Sequence, residues 1–157
     1  MVVIRPIGPD ETAAAVALVR EVFEEFVRPD LNDEGWAQLL EYVDEDAVRN
    51  RAENDHVIFV ADLEGVIAGL IEVRMGKHIS LLVVERSHFG KGIARRLIEK
   101  GIEYCRKTNA ELEAVTVHSS RYAIDVYRRF GFEPVGEEMV VDGIRFTPMS
   151  VRVAGCS

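Results

Sequence analysis

Apolar side chains recur along this chain with two periods, and the changes from one to the other divide it into elements. Between Glu11 and Val27, residues Ala14, Ala15, Leu18, Val19, Val22, Phe23 and Phe26 fall three and four apart, which predicts one face of a helix. Val2 to Ile7 reads as a short strand before it, and Gly8-Pro9-Asp10 as a turn offering Asp10 as the helix N-cap. The run Pro29 to Asp33 breaks the helix, and Glu34–Val43 and Glu45–Ala52 read as two shorter helical pieces. From His56 the period falls to two. His56–Asp62 and Val66–Met75, joined by Leu63-Glu64-Gly65, predict a hairpin, and His78–Glu85 a third strand after Gly76-Lys77. Leu81-Leu82-Val83-Val84 is apolar on both faces, so this strand belongs in the middle of a sheet. A helix from Gly90 to about Lys107 buries Ile93, Leu97, Ile98, Ile102 and Cys105. After it come a strand over Glu113–His118, a helix over Arg121–Phe130, and strands over Phe132–Val140 and Ile144–Val153 around Asp142-Gly143.

This order predicts a mixed sheet with helices on both faces, in the α+β (α/β) class. The 157 residues suit a single domain over 1–157, large enough to close a core without metal or disulfide staples. With 48% hydrophobic and 29% charged residues the chain has a globular rather than a disordered balance. Its net charge of −8 argues against nucleic acid as a partner, because that affinity rests on clustered Lys and Arg. Basic partners or cationic small molecules suit it better. No segment has the pattern of a leader peptide or the apolar length of a membrane span, so a cytoplasmic protein without a membrane partner is expected, as monomer or homodimer. Cys105 and Cys156 lie far apart with neither CxxC spacing nor a histidine cluster nearby, which points away from metal or redox chemistry. Cys105, at a helical apolar position, reads as core packing.

The chemistry concentrates at HFGKGIA, His88 to Ala94, between the most apolar strand and an amphipathic helix. Gly90 and Gly92 let backbone N–H groups approach a ligand without a Cβ in the way, and a helix start adds unpaired donors and the positive end of its dipole. A helix built only for stability carries acids in its first turn. This one carries Lys91, Arg95 and Arg96, the choice for an anionic ligand such as a pyrophosphate. A Walker A loop is excluded because Gly92 follows Lys91 with no four-residue spacer before it, and a dinucleotide GxGxxG because Arg95 stands where its third glycine would be. The remaining alternative is a plain turn whose glycines only ease chain reversal. A second constellation, Ser120 to Phe132 (SRYAIDVYRRFGF), reads as a short helix stopped by Gly131 as a left-handed cap.

Taken together, these segments resemble the GNAT superfamily of N-acetyltransferases over nearly the whole chain. The family's cofactor motif, Q/RxxGxG/A, is matched by Gly92 and Ala94, with Phe89 where Gln or Arg is usual. Its later pattern, Asn or Ser followed by xxAxxxYxxxGF, is matched by Ser120, Ala123, Tyr127, Gly131 and Phe132. HISLLVV (78–84) and DGIRFTPM (142–149) also resemble segments of small bacterial members. The resemblance implies a mixed, mostly antiparallel central sheet of about six to seven strands, and acetyl-CoA (coenzyme A) as cosubstrate with no metal. It implies that a bulge splays two parallel strands, that pantetheine pairs with the backbone of Leu82, Val83 and Val84, and that the phosphates rest on Phe89, Gly90, Lys91, Gly92, Ile93, Ala94 and Arg95, with Ser120 also at the cofactor. Tyr127 would protonate the departing thiolate as catalytic acid. Where many relatives carry a glutamate base this chain has Leu81, which leaves Glu72, His78, His118 or an ordered water. Each of these side chains has a purely structural alternative.

For the acceptor amine, ten acids from Glu21 to Asp46 (Glu21, Glu24, Glu25, Asp30, Asp33, Glu34, Glu41, Asp44, Glu45, Asp46) stand against one base, Arg28. They form either an acidic rim that draws a cationic amine or the solvated face of surface helices. Phe26, Trp36 and Tyr42 are candidate pocket walls or core. The expected activity is N-acetylation of a primary amine on a small molecule or protein. The alternative is a non-enzymatic acyl-CoA-binding regulatory module, motivated by Phe89 and Leu81.

Overall fold

The computed structural model describes residues 1–153 and orders them as β1 (Val2–Pro6), α1 (Thr12–Phe26), α2 (Asp33–Tyr42), α3 (Glu45–Ala52), β2 (His56–Leu63), β3 (Val66–Arg74), β4 (His78–Val84), α4 (Ile93–Thr108), β5 (Ala114–Ser119), α5 (Ile124–Arg129), β6 (Glu133–Pro134), β7 (Met139–Val141) and β8 (Ile144–Arg152). The strands make one eight-stranded sheet in the order β1-β2-β3-β4-β5-β8-β6, with β7 paired to β8. Only the β4–β5 pair is parallel; the others are antiparallel. Cys156 lies outside the described residues, among which no helix is long and apolar enough to cross a membrane.

Two cores flank the sheet. On one face Leu97, Ile98 and Cys105 of α4 pack with Ile71, Ile79, Val117 and Phe132; on the other, Val16, Val19 and Val22 of α1 pack with Val43, Val48, Val60, Leu70, Leu81 and Val83. Val84 and half-buried Leu82 join the first core while Leu81 and Val83 join the second, so β4 is covered on both sides as its apolar run predicts. Cys105 is wholly buried, which pushes its thiol up to about 11 and fits core packing.

The boundaries differ from expectation at four places. Asp10 is not the N-cap of α1. Glu11 holds that position, and its carboxylate turns back to accept from the Gly8 N–H at 2.6 Å and from Arg5. The α4 helix starts at Ile93 rather than Gly90, because Gly90 and Gly92 both sit at positive φ. The helix expected over Arg121–Phe130 opens as a 3-10 turn, Arg121–Ala123, before α5. The strand expected over Phe132–Val140 divides into β6 and β7, giving eight strands instead of six or seven. Pro134 offers no N–H for a continuing ladder, and Val135 makes the last contact, donating to the Pro148 carbonyl at 2.9 Å.

One backbone contact decides where a wall of the site stands. A Cβ on Gly35 of α2 would lie 1.9 Å from the Gly143 carbonyl oxygen, and one on Gly143 would lie 2.5 Å from the Gly35 nitrogen. The N-terminal turn of α2, capped by the Asn32 side chain on the Gly35 N–H at 2.8 Å, is thereby seated directly on the β7–β8 turn.

Candidate active site

The site originates in a strand irregularity. Glu72 of β3 pairs with Leu81 and Val73 with Ile79, so Ser80 is an extra residue on β4, a β-bulge. Its hydroxyl donates to Glu72 Oε1 at 2.7 Å. Glu72 is wholly buried, and its other partners are the Tyr42 hydroxyl at 3.0 Å and the Arg51 guanidinium, with both contacts at 3.3 Å. Arg51 also lies over the Tyr42 ring at 3.7 Å and donates to the Tyr42 carbonyl at 2.7 Å. Burial and the Glu72 charge push the Tyr42 phenol up to about 12, so it stays a donor.

Past the bulge the parallel strands separate. They pair only at His78↔Thr116 and Ile79↔Val117. A cavity of about 310 Å3 opens there, reached by Ser80, Leu81 and Leu82 of β4, by Val117 to Ser120 at the end of β5, by Tyr127 of α5, and by Phe23, Leu39 and Tyr42 on the α1–α2 side. This is a volume that holds part of a small ligand. The Glu85 N–H donates to the Ala68 carbonyl at 2.8 Å, and antiparallel ladders alternate in direction. The polar backbone of Val83 therefore faces β3, while that of Leu82 and Val84 faces the gap. Two of the three residues expected to pair with pantetheine present free backbone groups, and Val83 presents none.

Gly90 and Gly92 have φ of 79° and 78°, and a Cβ at either would find nothing within 4 Å. Left-handed backbone requires the glycines, and the open space gives a ligand access. His88, Phe89 and Arg96 donate their amides to Glu85, Arg86 and Gly92, but among the described residues the N–H groups of Gly90, Lys91, Gly92, Ile93, Ala94 and Arg95 have no protein acceptor. Lys91 and Arg95 are exposed beside them, Arg95 resting over the Phe130 ring at 5.3 Å, while Arg96 donates to the Val2 carbonyl at 2.5 Å. Phe89, 42% exposed, packs 5.5 Å from Phe26, which stacks on Tyr122 at 4.9 Å. Its ring ties the turn to α1 and offers no donor.

Tyr127 packs in the α4-side core against Phe132 and lines the cavity through the gap between the strands. Burial raises its phenol above the usual range, so it is protonated at neutral pH. Its hydroxyl has no hydrogen-bond partner among the described residues, yet no sealed side-chain polar atom there lacks one. The hydroxyl is therefore open to the cavity.

The candidate bases separate clearly. Glu72 does not line the cavity and is committed to Arg51, Tyr42 and Ser80. His78 and His118 both line it, with ring centroids 4.7 Å apart. The His78 Nδ1 is 2.7 Å from the Thr116 hydroxyl, and burial, with the Arg74 charge next, lowers this imidazole to about 4. His118 is exposed, stacked on Phe146 at 4.2 Å, and lowered by the same two causes. Both rings are neutral at pH 7. Ser120 also lines the cavity, and of the three aromatic walls suggested by the sequence only Tyr42 does so. None of the ten acids between Glu21 and Asp46 reaches it; Glu24, Glu25, Glu45 and Asp46 instead pair with Arg28, Arg86 and Arg49. Ser80, Arg74 and Phe146 were not singled out from the sequence. Ser80 had a signal, as the one polar residue inside an apolar strand run.

A family model for the acetyltransferase (GNAT) domain matches residues 27–153. The chain belongs to the GNAT acetyltransferase family. It is an acyltransferase, and its cosubstrate is acetyl-CoA. Among similar solved structures, a GCN5-related N-acetyltransferase from Rhodopseudomonas palustris has a TM-score of 0.79 at 22% identity, with 96% of this chain and 95% of that chain covered. The PaiA N-acetyltransferase from Thermoplasma acidophilum, solved in complex with coenzyme A, has a TM-score of 0.78 at 16% identity over 98% and 99% of the two chains. YjaB from Escherichia coli, in its apo form, has 0.68 at 23% identity over 99% of each. At these identities the likeness is one of fold. The GNAT cosubstrate fits the residues present, since the unpartnered amides at 90–95 suit a diphosphate and the bared edge of β4 suits an amide-bearing arm.

Proposed function

We propose that this GNAT enzyme transfers the acetyl group of acetyl-CoA to a primary amine by direct attack at the mouth of the β4–β5 gap. The observation that carries this reading is the convergence on one cavity of the Leu82 edge of β4, the unpartnered Tyr127 hydroxyl and two neutral imidazoles. The diphosphate rests on the Gly90–Arg95 amides, with Lys91 and Arg95 adding charge, and pantetheine pairs with Leu82 and Val84. Ser120 closes the cofactor side. The amine nitrogen bonds to the thioester carbon after passing its proton to water or to one of His78 and His118, of which exposed His118 is the more accessible. As negative charge develops on the carbonyl oxygen, the Leu82 N–H stabilises it by about 3 kcal/mol. The carbon–sulfur bond then breaks, the thiolate takes the Tyr127 proton, and the extra proton left on the new amide nitrogen passes through water to return Tyr127 to its neutral form.

The test is thiol release from acetyl-CoA over a panel of primary amines, with the acetylated product identified by mass spectrometry. Wild type releases thiol in proportion to amide formed. Tyr127→Phe keeps acetyl-CoA binding but slows turnover by about a hundredfold, the general-acid contribution. Unchanged turnover in that variant removes Tyr127 from the mechanism, and no product from any amine removes the reaction.

A further inference from the structure

Of the three charged side chains that line the cavity two are arginines, whereas acids predominate between Glu21 and Asp46 on the neighbouring helices. Arg74, Arg145 and Asp142 line it. Arg145 is already held, donating to Glu138 at 3.2 Å and to the Asp30 carbonyl at 3.4 Å. Asp142 is exposed at the β7–β8 turn. The side chain of Arg74, the last residue of β3, makes no hydrogen bond, ion pair or ring contact with any described residue. It is near enough to act on both His78 and His118 as a positive charge. The buried carboxylate on the same strand, Glu72, is turned away and matched by Arg51. Beside the unclaimed guanidinium stand the stacked His118 and Phe146, a flat wall that can cover the body of a small molecule.

We propose that the acceptor carries a carboxylate as well as its amine, and that Arg74 binds this carboxylate at the cavity mouth while the amine reaches the β4–β5 gap. The proposal rests on the acetyl-transfer reading above. A planar guanidinium offers a carboxylate two parallel donors, whereas the same group repels an acceptor with a second cationic centre. Arg74 stands opposite His78 in the hairpin register, four residues before Leu82 on β4. About 13 Å of strand separates the two ends, which favours an amine several bonds from its carboxylate. This reverses the expectation of a cationic acceptor drawn from acids that the fold places outside the cavity.

Matched pairs differing only by the carboxylate test it: 4-aminobutyrate against butylamine, 6-aminohexanoate against hexylamine, and 4-(aminomethyl)benzoate against benzylamine. In at least one pair the carboxylate-bearing member has a kcat/KM about tenfold or more above its partner, the worth of one charge-assisted pair. Arg74→Gln collapses that ratio by raising the acceptor KM, and Arg74→Lys restores part of it. Equal or lower kcat/KM for every carboxylate member overturns the proposal, as does an Arg74→Gln variant that keeps the ratio. Absence of thiol release from all six compounds also overturns it. A melting-temperature rise with acetyl-CoA, measured alongside, then shows whether coenzyme binding survives that result.

Discussion

His78 shows how one buried side chain links site chemistry to stability. Its imidazole is 5% exposed and bonded to the Thr116 hydroxyl, with Arg74, His118 and His56 all disfavouring a second positive charge. Its value falls from 6.5 unfolded to about 4 folded. Between those two values the unfolded chain binds the extra proton, so acid favours unfolding and stability rises with pH. His78→Asn should remove this contribution. The gap in unfolding free energy between wild type and variant then narrows by on the order of 2–3 kcal/mol from pH 7 to pH 4. Denaturant melts at both pH values measure it, and a constant gap would mean that His78 takes up its proton as readily in the native protein as in the unfolded chain.

At the scale of elements, the β4 bulge lies where the parallel pairing of β4 and β5 ends and the cavity opens. Ser80 is its extra residue, held by a hydroxyl bond to a carboxylate sealed from water. Removing that donor leaves Glu72 one partner short, a cost of about 1–3 kcal/mol. Ser80→Ala is expected to lower the melting temperature and to raise the Kd for acetyl-CoA several-fold by calorimetry, since a relaxed bulge narrows the gap. A stability loss with unchanged Kd would show that the splay does not depend on Ser80. Most of this element was legible in the sequence, because Leu81-Leu82-Val83-Val84 reads directly as a strand buried on both faces. The bulge was expected only through the family resemblance, and its place at Ser80 was not legible, since it depends on Glu72, Arg51 and Tyr42 meeting from three separate elements. The division of β6 from β7 was missed for a related reason: an apolar pattern does not show where a strand loses its partner, although Pro134 hinted at it.

At the scale of the whole molecule, the layered arrangement and the order of elements followed from periodicity, and the family followed from the glycine turn and the Tyr127 segment. The acceptor side did not follow from the sequence. Its walls come from α1, α2, the ends of β3 and β5, and β8, and composition left two readings of the helix acids open, of which the fold keeps the one that places them outside the cavity. In the proposed reaction coenzyme A occupies the β4–β5 gap with its diphosphate on the glycine turn. Amide NMR of the isotope-labelled protein titrated with coenzyme A tests this most directly. The predicted result is saturable shifts concentrated at the N–H groups of Leu82, Val84 and Gly90 to Arg95, with little change along β1 and β2. Shifts concentrated elsewhere, or no saturable change at these amides, would contradict it.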